Sequence, residues 1–359
     1  MSIAFIVGTR PEIIKMSPII RKCQEKGEDF FIIHTGQHYS FKLDGIFFKE
    51  LDLPLPQHNL EIGSGSHAEI TGKCLIGTER VLKDTKPRIV LVEGDTNSVL
   101  AGALSAAKLH IPIGHVEAGL RSYDRNMPEE INRILTDHLS DLLFAPTKTS
   151  RQNLLKEGIE DNKIYVTGNS IVDAVTQNVK IAIKKKNTLK DLNLISKQYI
   201  LLTLHRQENV DDIKRLKNIF VGLEKVYQKY GTPIIYPIHP RTEKRIKEFN
   251  LKLSEGMQII QPVSFLEFLL LESNALLILT DSGGVQEEAC ILKIPCVTLR
   301  DNTERPETIE TGANILAGTN PIRILNSVKK MANTKTDWDN PLGDGKAGER
   351  ILAIIKSKY

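Results

Sequence analysis

Three carboxylates, Asp95, Glu117 and Glu129, fall in one stretch of the chain, each where an element changes. Ile89-Val90-Leu91-Val92 runs into Glu93-Gly94-Asp95-Thr96-Asn97. His115-Val116 runs into Glu117-Ala118-Gly119-Leu120-Arg121-Ser122, and Met127-Pro128 leads into Glu129-Glu130-Ile131-Asn132-Arg133. Moving a proton from one face of a substrate to the other needs ionisable groups on more than one side of it. Each carboxylate alone has a plainer explanation. Acidic residues at helix starts are favoured by the helix dipole and by capping, and Glu129 can pair with Arg133 four residues on. Three of them in one strand-helix-strand neighbourhood point to acid–base chemistry.

A second set of residues suits phosphate. Leu279-Thr280-Asp281-Ser282-Gly283-Gly284-Val285-Gln286-Glu287-Glu288 carries an apolar strand into Ser-Gly-Gly and then a helix. First-turn N–H groups, the positive end of the dipole and a hydroxyl make a diphosphate cradle. Glycine lets the backbone approach closely, so Ser282, Gly283 and Gly284 are the candidates. Glu288 falls near the end of the second turn, within reach of a ribose hydroxyl. The plainer alternative is an Asp or Ser cap with a Gly-Gly turn. Arg10 and Lys15 place two cations after the first strand; each alone is an ordinary helix charge. His205, in His205-Arg206-Gln207-Glu208-Asn209, follows a strand, and His239 repeats that placement. His205 is a candidate for catalysis and for diphosphate contact, against the usual role of a lone histidine as a satisfied structural residue.

Alternating strands and helices must position these groups. Apolar runs at 3–7, 30–34, 88–92, 112–116, 141–145 and 163–167 have the length and β-branched content of buried parallel strands. Helical patterns lie between them, at 11–25, 41–51, 68–83, 97–109 and 150–157. Pro11 belongs in the first helical turn, Thr9 with Glu12 fits a capping box, and Gly27 ends the helix. Residues 54–65 are rich in turn formers. After a polar, lysine-rich segment at 184–198, strands recur at 199–204, 233–238, 258–260, 275–279, 296–299 and 314–316. Helices fill the gaps at 213–230, 241–249, 265–271, 284–292 and 322–331. The pattern predicts an α/β protein of two doubly wound parallel sheets. The expected domains are 1–172 and 173–345, with a last helix in 346–359 packing back on the first.

Bulk properties narrow the class. A chain of 359 residues exceeds one ordinary core and suggests two domains. Net charge is only +4, and no basic block beyond Lys184-Lys185-Lys186 stands out, so nucleic acid is not an expected partner. No run has the length of a membrane span, and no secretory leader is expected. Cys23, Cys74, Cys290 and Cys296 lie on apolar patterns without Cys-x-x-Cys spacing, so reduced core thiols and a cytoplasmic location are expected. The histidines show no metal-ligand spacing. Gly8-Thr9-Arg10-Pro11 lacks the further glycines of a dinucleotide turn, which disfavours NAD. No cofactor and no metal are expected.

The set resembles the non-hydrolysing UDP-N-acetylglucosamine 2-epimerases. The matching stretches are 8–15, 35–38, 93–96, 116–122, 128–133, 167–169, 205–209, 281–289 and 303–307, in family order and along nearly the whole chain. The resemblance implies a glycosyltransferase-B type architecture of two Rossmann-like domains, with a UDP-sugar in the interdomain cleft, and usually a homodimer. It implies interconversion of UDP-N-acetylglucosamine and UDP-N-acetylmannosamine without a redox cofactor, through loss and return of UDP. The product would supply N-acetylmannosamine units for surface polysaccharide or glycan. By resemblance Asp95, Glu117 and Glu129 are catalytic, and Arg10, Lys15, His205, Ser282, Gly283, Gly284 and Glu288 meet UDP.

The main rival is a glycosyltransferase of the same architecture, which needs an acceptor and leaves the proton on carbon 2 in place. A silent UDP-sugar sensor has no need of three carboxylates. Hydrolysing relatives usually carry a fused kinase, which is not expected within these 359 residues. Some bacterial members bind a second UDP-N-acetylglucosamine as an activator, and Gln37, Arg206 and His239 match that second site. Ser40 stands where those members tend to carry a Gln, and the 63–66 stretch and Gln207 lack the Arg residues they use, removing charged partners.

Overall fold

The first apolar run, Ile3–Val7 (β1), is buried at every residue, as a strand covered on both faces must be. The computed structural model describes residues 2–36 and 41–359. After β1 come α1 (Arg10–Lys26), β2 (Phe30–His34), α2 (Phe41–Glu50), the two-residue β3 (His58–Asn59) and α3 (His67–Thr85). Then come β4 (Ile89–Glu93), α4 (Asn97–Lys108), β5 (Ile113–Val116), α5 (Pro128–Leu139), β6 (Leu142–Ala145), α6 (Lys148–Lys156) and β7 (Ile164–Val166). These strands form one parallel sheet in the order β3-β2-β1-β4-β5-β6-β7.

The long α7 (Ser170–Lys185) is followed by the one-turn α8 (Thr188–Asp191), β8 (Ile200–Thr203), α9 (Gln207–Val210) and α10 (Ile213–Tyr230). Next are β9 (Ile234–Pro237), α11 (Pro240–Glu248), β10 (Met257–Ile260), α12 (Phe265–Asn274), β11 (Leu277–Thr280) and α13 (Gly283–Ile291). β12 (Cys296–Thr298), α14 (Pro306–Glu310), β13 (Asn314–Leu316), α15 (Pro321–Met331) and α16 (Ala347–Lys358) complete the chain. The second sheet is also parallel, in the order β10-β9-β8-β11-β12-β13. The chain divides into Met1–Ala174 with Leu342–Tyr359, and Val175–Pro341.

Each sheet reverses its strand order once, between β1 and β4 in the first and between β8 and β11 in the second. Ligands of open α/β sheets bind outside the carboxyl ends of strands at such a reversal. Residues 8–15 and Asp95 leave the first sheet there; His205 and Ser282 leave the second.

Local chemistry explains most boundaries. Pro11 sits in the first turn of α1, and Gly27 closes that helix in the left-handed conformation. The Thr9–Glu12 capping box does not form. The Thr9 hydroxyl donates to Glu12 Oε1 at 3.0 Å, and the Gly8 N–H reaches Glu12 Oε2 at 2.6 Å. The reciprocal box appears instead on α3, between Ser66 and Glu69. The turn-rich 54–65 segment contributes β3, too short to leave a periodicity. Within 184–198, the one-turn α8 is hidden by its polar composition. All four cysteines are buried and free. No described helix is long and apolar enough to cross a membrane.

The last helix, α16, packs along α1, with Gly348 so close to Pro18 that a Cβ would lie 3.2 Å from the Pro18 carbonyl carbon. Its first N–H groups find their acceptor far away in sequence. Asp173, buried on α7, takes the Ala347 N–H at 3.1 Å and the Gly348 N–H at 3.0 Å. Burial raises the Asp173 carboxyl, and these two N–H groups pull it back. Asp173→Ala leaves two buried donors unmet, at about 1–3 kcal/mol. Amide exchange along α16 should accelerate several-fold or more, with Asp173→Asn milder because it keeps one acceptor. Unchanged protection would show that the cap does not hold the helix.

Candidate active site

In the first unit, β1, β4 and β5 deliver their carboxyl ends side by side, and the groups that emerge are charged. Lys15, one turn and a half into α1, places Nζ 2.6 Å from both Glu117 oxygens and 3.2 Å from Glu93 Oε1. Glu93 ends β4 and is buried; Lys15 is 14% exposed. Burial pushes the Glu93 carboxyl well above its usual range. Lys15 opposes that, while Glu117 and Glu12 reinforce it. Glu12 is buried too, and burial outweighs its hydrogen bonds to raise it to about 7. One ammonium therefore serves a crowd of carboxyls, and Glu117 takes the closest share.

Glu117 has φ +69°, a left-handed backbone that costs a non-glycine residue roughly 1–3 kcal/mol. Such conformations persist where surrounding contacts over-determine them. Here Lys15 grips the carboxylate, and Asn169 Nδ2 donates to Glu117 Oε2 at 3.3 Å.

Asp95, just beyond β4, is ion-paired with Arg133 on α5 and is 30% exposed. Asn132 Nδ2 holds the Asp95 carbonyl at 2.9 Å. Arg133 also bonds Glu130 Oε2 at 2.6 Å, so its helix partner is Glu130 and not Glu129. Glu130 is buried, accepting the Ser122 and Tyr123 N–H groups at 2.9 Å each. Glu129 stands exposed in the first turn of α5. Arg10 is also exposed, its guanidinium 5.3 Å from the centre of the Phe47 ring. Thus Lys15 and Glu117 are in contact and Asp95 is tied to α5, while Arg10 lies against Phe47 and Glu129 faces solvent. Sequence does not single out Glu93, Asn132 and Asn169 as site residues. It presents Glu12 only as part of a capping box and Arg133 only as a helix partner of Glu129. Glu93 carries a signal, as an acid closing a buried strand.

In the second unit, Asp281 is the fixed point. Fully buried after β11, its carboxylate accepts the His205 N–H at 3.1 Å, the Arg206 N–H at 2.9 Å and Asn209 Nδ2 at 3.2 Å. His205 Nδ1 lies 3.4 Å from Asp281 Oδ1. Burial lowers the His205 imidazole from its ordinary value; Asp281 resists, and His239 and Arg206 add to the lowering. A neutral ring near pH 7 follows. His239 N-caps α11, accepting the Arg241 N–H at 3.2 Å, and its ring centroid is 5.7 Å from that of His205. Arg206 is exposed beside Gly283. Gln37 and Ser40 lie outside the described residues.

The Ser-Gly-Gly turn starts α13 with Ser282 as N-cap, and the Ser282 hydroxyl does not cap the helix. A Cβ on Gly283 would meet nothing nearer than 3.8 Å, and one on Gly284 nothing nearer than 4.0 Å. Protein crowding therefore does not require these glycines; they leave open backbone N–H groups at a positive helix end. Gln286 fixes the turn, with Nε2 donating to the Ser282 carbonyl at 3.3 Å and Oε1 accepting from Thr303 at 2.6 Å and Asn314 at 3.1 Å. Glu288 lies one face round on α13. Burial raises its carboxyl to about 7, with Glu272 lowering it and Glu287 raising it. No group of His, Cys, Asp and Glu among the described residues could hold a metal ion.

Comparison with known proteins shows the family. The signature of the UDP-N-acetylglucosamine 2-epimerase family matches residues 21–356. The chain is 61% identical to a UDP-N-acetylglucosamine 2-epimerase of Methanocaldococcus jannaschii, covering 99% of each chain. It is 43% identical to a UDP-2,3-diacetamido-2,3-dideoxy-D-glucuronate 2-epimerase of Pseudomonas aeruginosa, again over 99% of each. A crystal structure of the M. jannaschii UDP-GlcNAc 2-epimerase in complex with UDP-GlcNAc and UDP superimposes with a TM-score of 0.86. It is 60% identical, covering 99% of this chain and 100% of that one. The two parallel-sheet units are those of a glycosyltransferase-B-like fold. This chain belongs to the UDP-N-acetylglucosamine 2-epimerase family, and is an isomerase.

Proposed function

We propose that the protein interconverts UDP-N-acetylglucosamine and UDP-N-acetylmannosamine by eliminating and re-adding UDP. The observation that carries this reading is Glu117, held in a left-handed backbone against the Lys15 ammonium where β5 ends. A strained, charge-matched carboxylate at the carboxyl edge of a parallel sheet is a group kept for chemistry. The name of the relative that is 61% identical supplies the sugar.

The hydrogen on carbon 2 is not next to a carbonyl, so a side chain cannot remove it from the resting sugar. As the bond from carbon 1 to the UDP oxygen breaks, positive charge develops on carbon 1 and acidifies that hydrogen. One carboxylate takes the proton, the electrons close a double bond between carbons 1 and 2, and UDP leaves with the former bonding pair. The product is 2-acetamidoglucal. A proton delivered to the opposite face of carbon 2 and return of UDP to carbon 1 complete the exchange. Asp95, Glu117 and Glu129 are the proposed proton carriers. Backbone N–H groups of the Ser282-Gly283-Gly284 turn, with His205 and Arg10, meet the diphosphate charge that grows as the bond breaks. Glu288 takes the ribose hydroxyls. Lys15, engaged with Glu117 and Glu93, acts on the carboxylates. The proposed product supplies N-acetylmannosamine units for surface polysaccharide or glycan.

Proton NMR in deuterated water tests the reaction. Both UDP-sugars should accumulate with deuterium on carbon 2, without added NAD or metal. Epimer formed with protium retained contradicts elimination. A reaction only after an acceptor is supplied marks a glycosyltransferase. Exchange with UDP-2,3-diacetamido-2,3-dideoxy-D-glucuronate alone would move the substrate to that of the Pseudomonas relative.

A pH profile tests the ribose contact. A carboxylate accepts from two hydroxyls, whereas a protonated Glu288 has lost an acceptor, so the ionised form binds better. Its carboxyl lies at about 7, so ionisation, and affinity with it, rises between pH 6 and 8. The ratio of UDP affinity, wild type over Glu288→Gln, should grow about tenfold across that window. Taking the ratio cancels titration of UDP itself. A flat ratio by calorimetry means that Glu288 does not meet the ribose.

A further inference from the structure

We propose that Asp137 is a positioning residue for the reaction: one buried carboxylate that fixes the three backbone segments bearing Asp95, Glu117 and Glu129. This rests on the proposed catalytic role of those three groups. Asp137 lies on α5, which presents Glu129 in its first turn, and its side chain is 0% exposed. Its Oδ1 is 2.7 Å from His115 Nδ1. Its Oδ2 is 2.7 Å from the Arg121 guanidinium and accepts the Gly119 N–H at 3.2 Å.

Each partner leads to a different catalytic segment. His115 sits on β5, and its other ring nitrogen, Nε2, is 2.9 Å from the carbonyl of Gly94, the residue before Asp95. Gly119 is two residues past Glu117, at φ +82°. A Cβ on it would fall 2.4 Å from the Ser150 carbonyl, so only glycine allows this approach. Arg121, with 1% of its side chain exposed, continues to Glu157 through bonds of 2.7 and 2.6 Å. The loops after β4 and β5 and the helix α5 thus share one anchor, although 18 residues separate Gly119 from Asp137 and 21 separate Gly94 from His115.

The proton count follows from geometry. Both His115 ring nitrogens face acceptors, Asp137 Oδ1 and the Gly94 carbonyl. A neutral imidazole has one N–H and satisfies one of them; only the imidazolium donates to both. Two cations, His115 and Arg121, then balance two anions, Asp137 and Glu157. A buried network satisfied on all sides is rigid, and one with a missing partner is costly. Asparagine at 137 has one carbonyl oxygen for donors on both sides, and its amide would face another donor.

Asp137→Asn and His115→Gln test this, read by turnover, UDP affinity, ring-nitrogen NMR and amide exchange. In the wild type both His115 ring nitrogens should carry protons. In folded Asp137→Asn, kcat should fall roughly tenfold to hundredfold, as for a reacting group slightly displaced. UDP affinity should stay within about twofold, since the Asp137 carboxylate bonds to His115, Gly119 and Arg121 and to none of the groups proposed to meet the diphosphate. The Gly94 and Gly119 segments should exchange faster. His115→Gln keeps one donor and should fall between; if Asp137→Asn does not fold, it decides. A singly protonated His115 in the wild type, unchanged kcat in the folded variants, or UDP affinity lost in step with kcat each overturns the proposal. Should the wild type show no exchange at carbon 2, the reaction reading fails alone. The ring-nitrogen and amide readouts then still decide the role of Asp137.

Discussion

A single ammonium, Lys15 Nζ, sets the terms for the first unit. Two carboxylates, Glu117 and Glu93, converge on it at 2.6 and 3.2 Å in a nearly dry pocket, with Glu12 close behind. A lone buried carboxylate is costly, and removing one partner of such a pair leaves an uncompensated charge. The protein reconciles three acids with one base by dividing protonation. Burial keeps Glu93 and Glu12 towards the neutral form, and the Lys15 charge is spent mainly on Glu117. The left-handed backbone at Glu117 is tolerated because that contact, with Asn169, over-determines it.

The same logic recurs with reversed sign in the second unit. There a buried anion, Asp281, organises donors: two backbone N–H groups and the Asn209 amide turn inward to it. That leaves His205 at the mouth of its loop, with its imidazole lowered towards the neutral ring by burial. Each sheet thus places a charged group at its strand-order reversal, part-buried Lys15 in the first and fully buried Asp281 in the second, and the loops that leave the sheet gather round it. The strands need only be apolar and parallel; the chemistry lies in the loops beyond their carboxyl ends.

Much of this was legible in the sequence, for physical reasons. Buried parallel strands read as short β-branched runs, so β1, β4, β5, β8 and β11 announced themselves, and with them the positions of Asp95, Glu117, His205 and Ser282. Pro11 and Gly27 bracketed α1 because each residue has few other uses there. What sequence concealed were pairings across distance. Lys15 reads from sequence as a diphosphate contact, and nothing local shows its bond to Glu117, 102 residues on. Glu130, not its neighbour Glu129, proved to be the partner of Arg133, because helix spacing fits both and burial chooses. His115, Asp137 and Arg121 carried no local signal at all, since a buried ionic network has no period. Thr9 and Glu12 had the spacing of a capping box, but burial of Glu12 turned its carboxyl to the Gly8 N–H.

The most direct test of this account is a double-mutant cycle on turnover with Lys15→Met and Glu117→Gln. If Lys15 acts through Glu117, either change removes the same charged contact, and the double variant should be slower than the worse single variant by no more than about threefold. UDP affinity should change little in all three. Losses that multiply, with UDP affinity falling in each protein that lacks Lys15, would contradict the account and return the ammonium to the diphosphate.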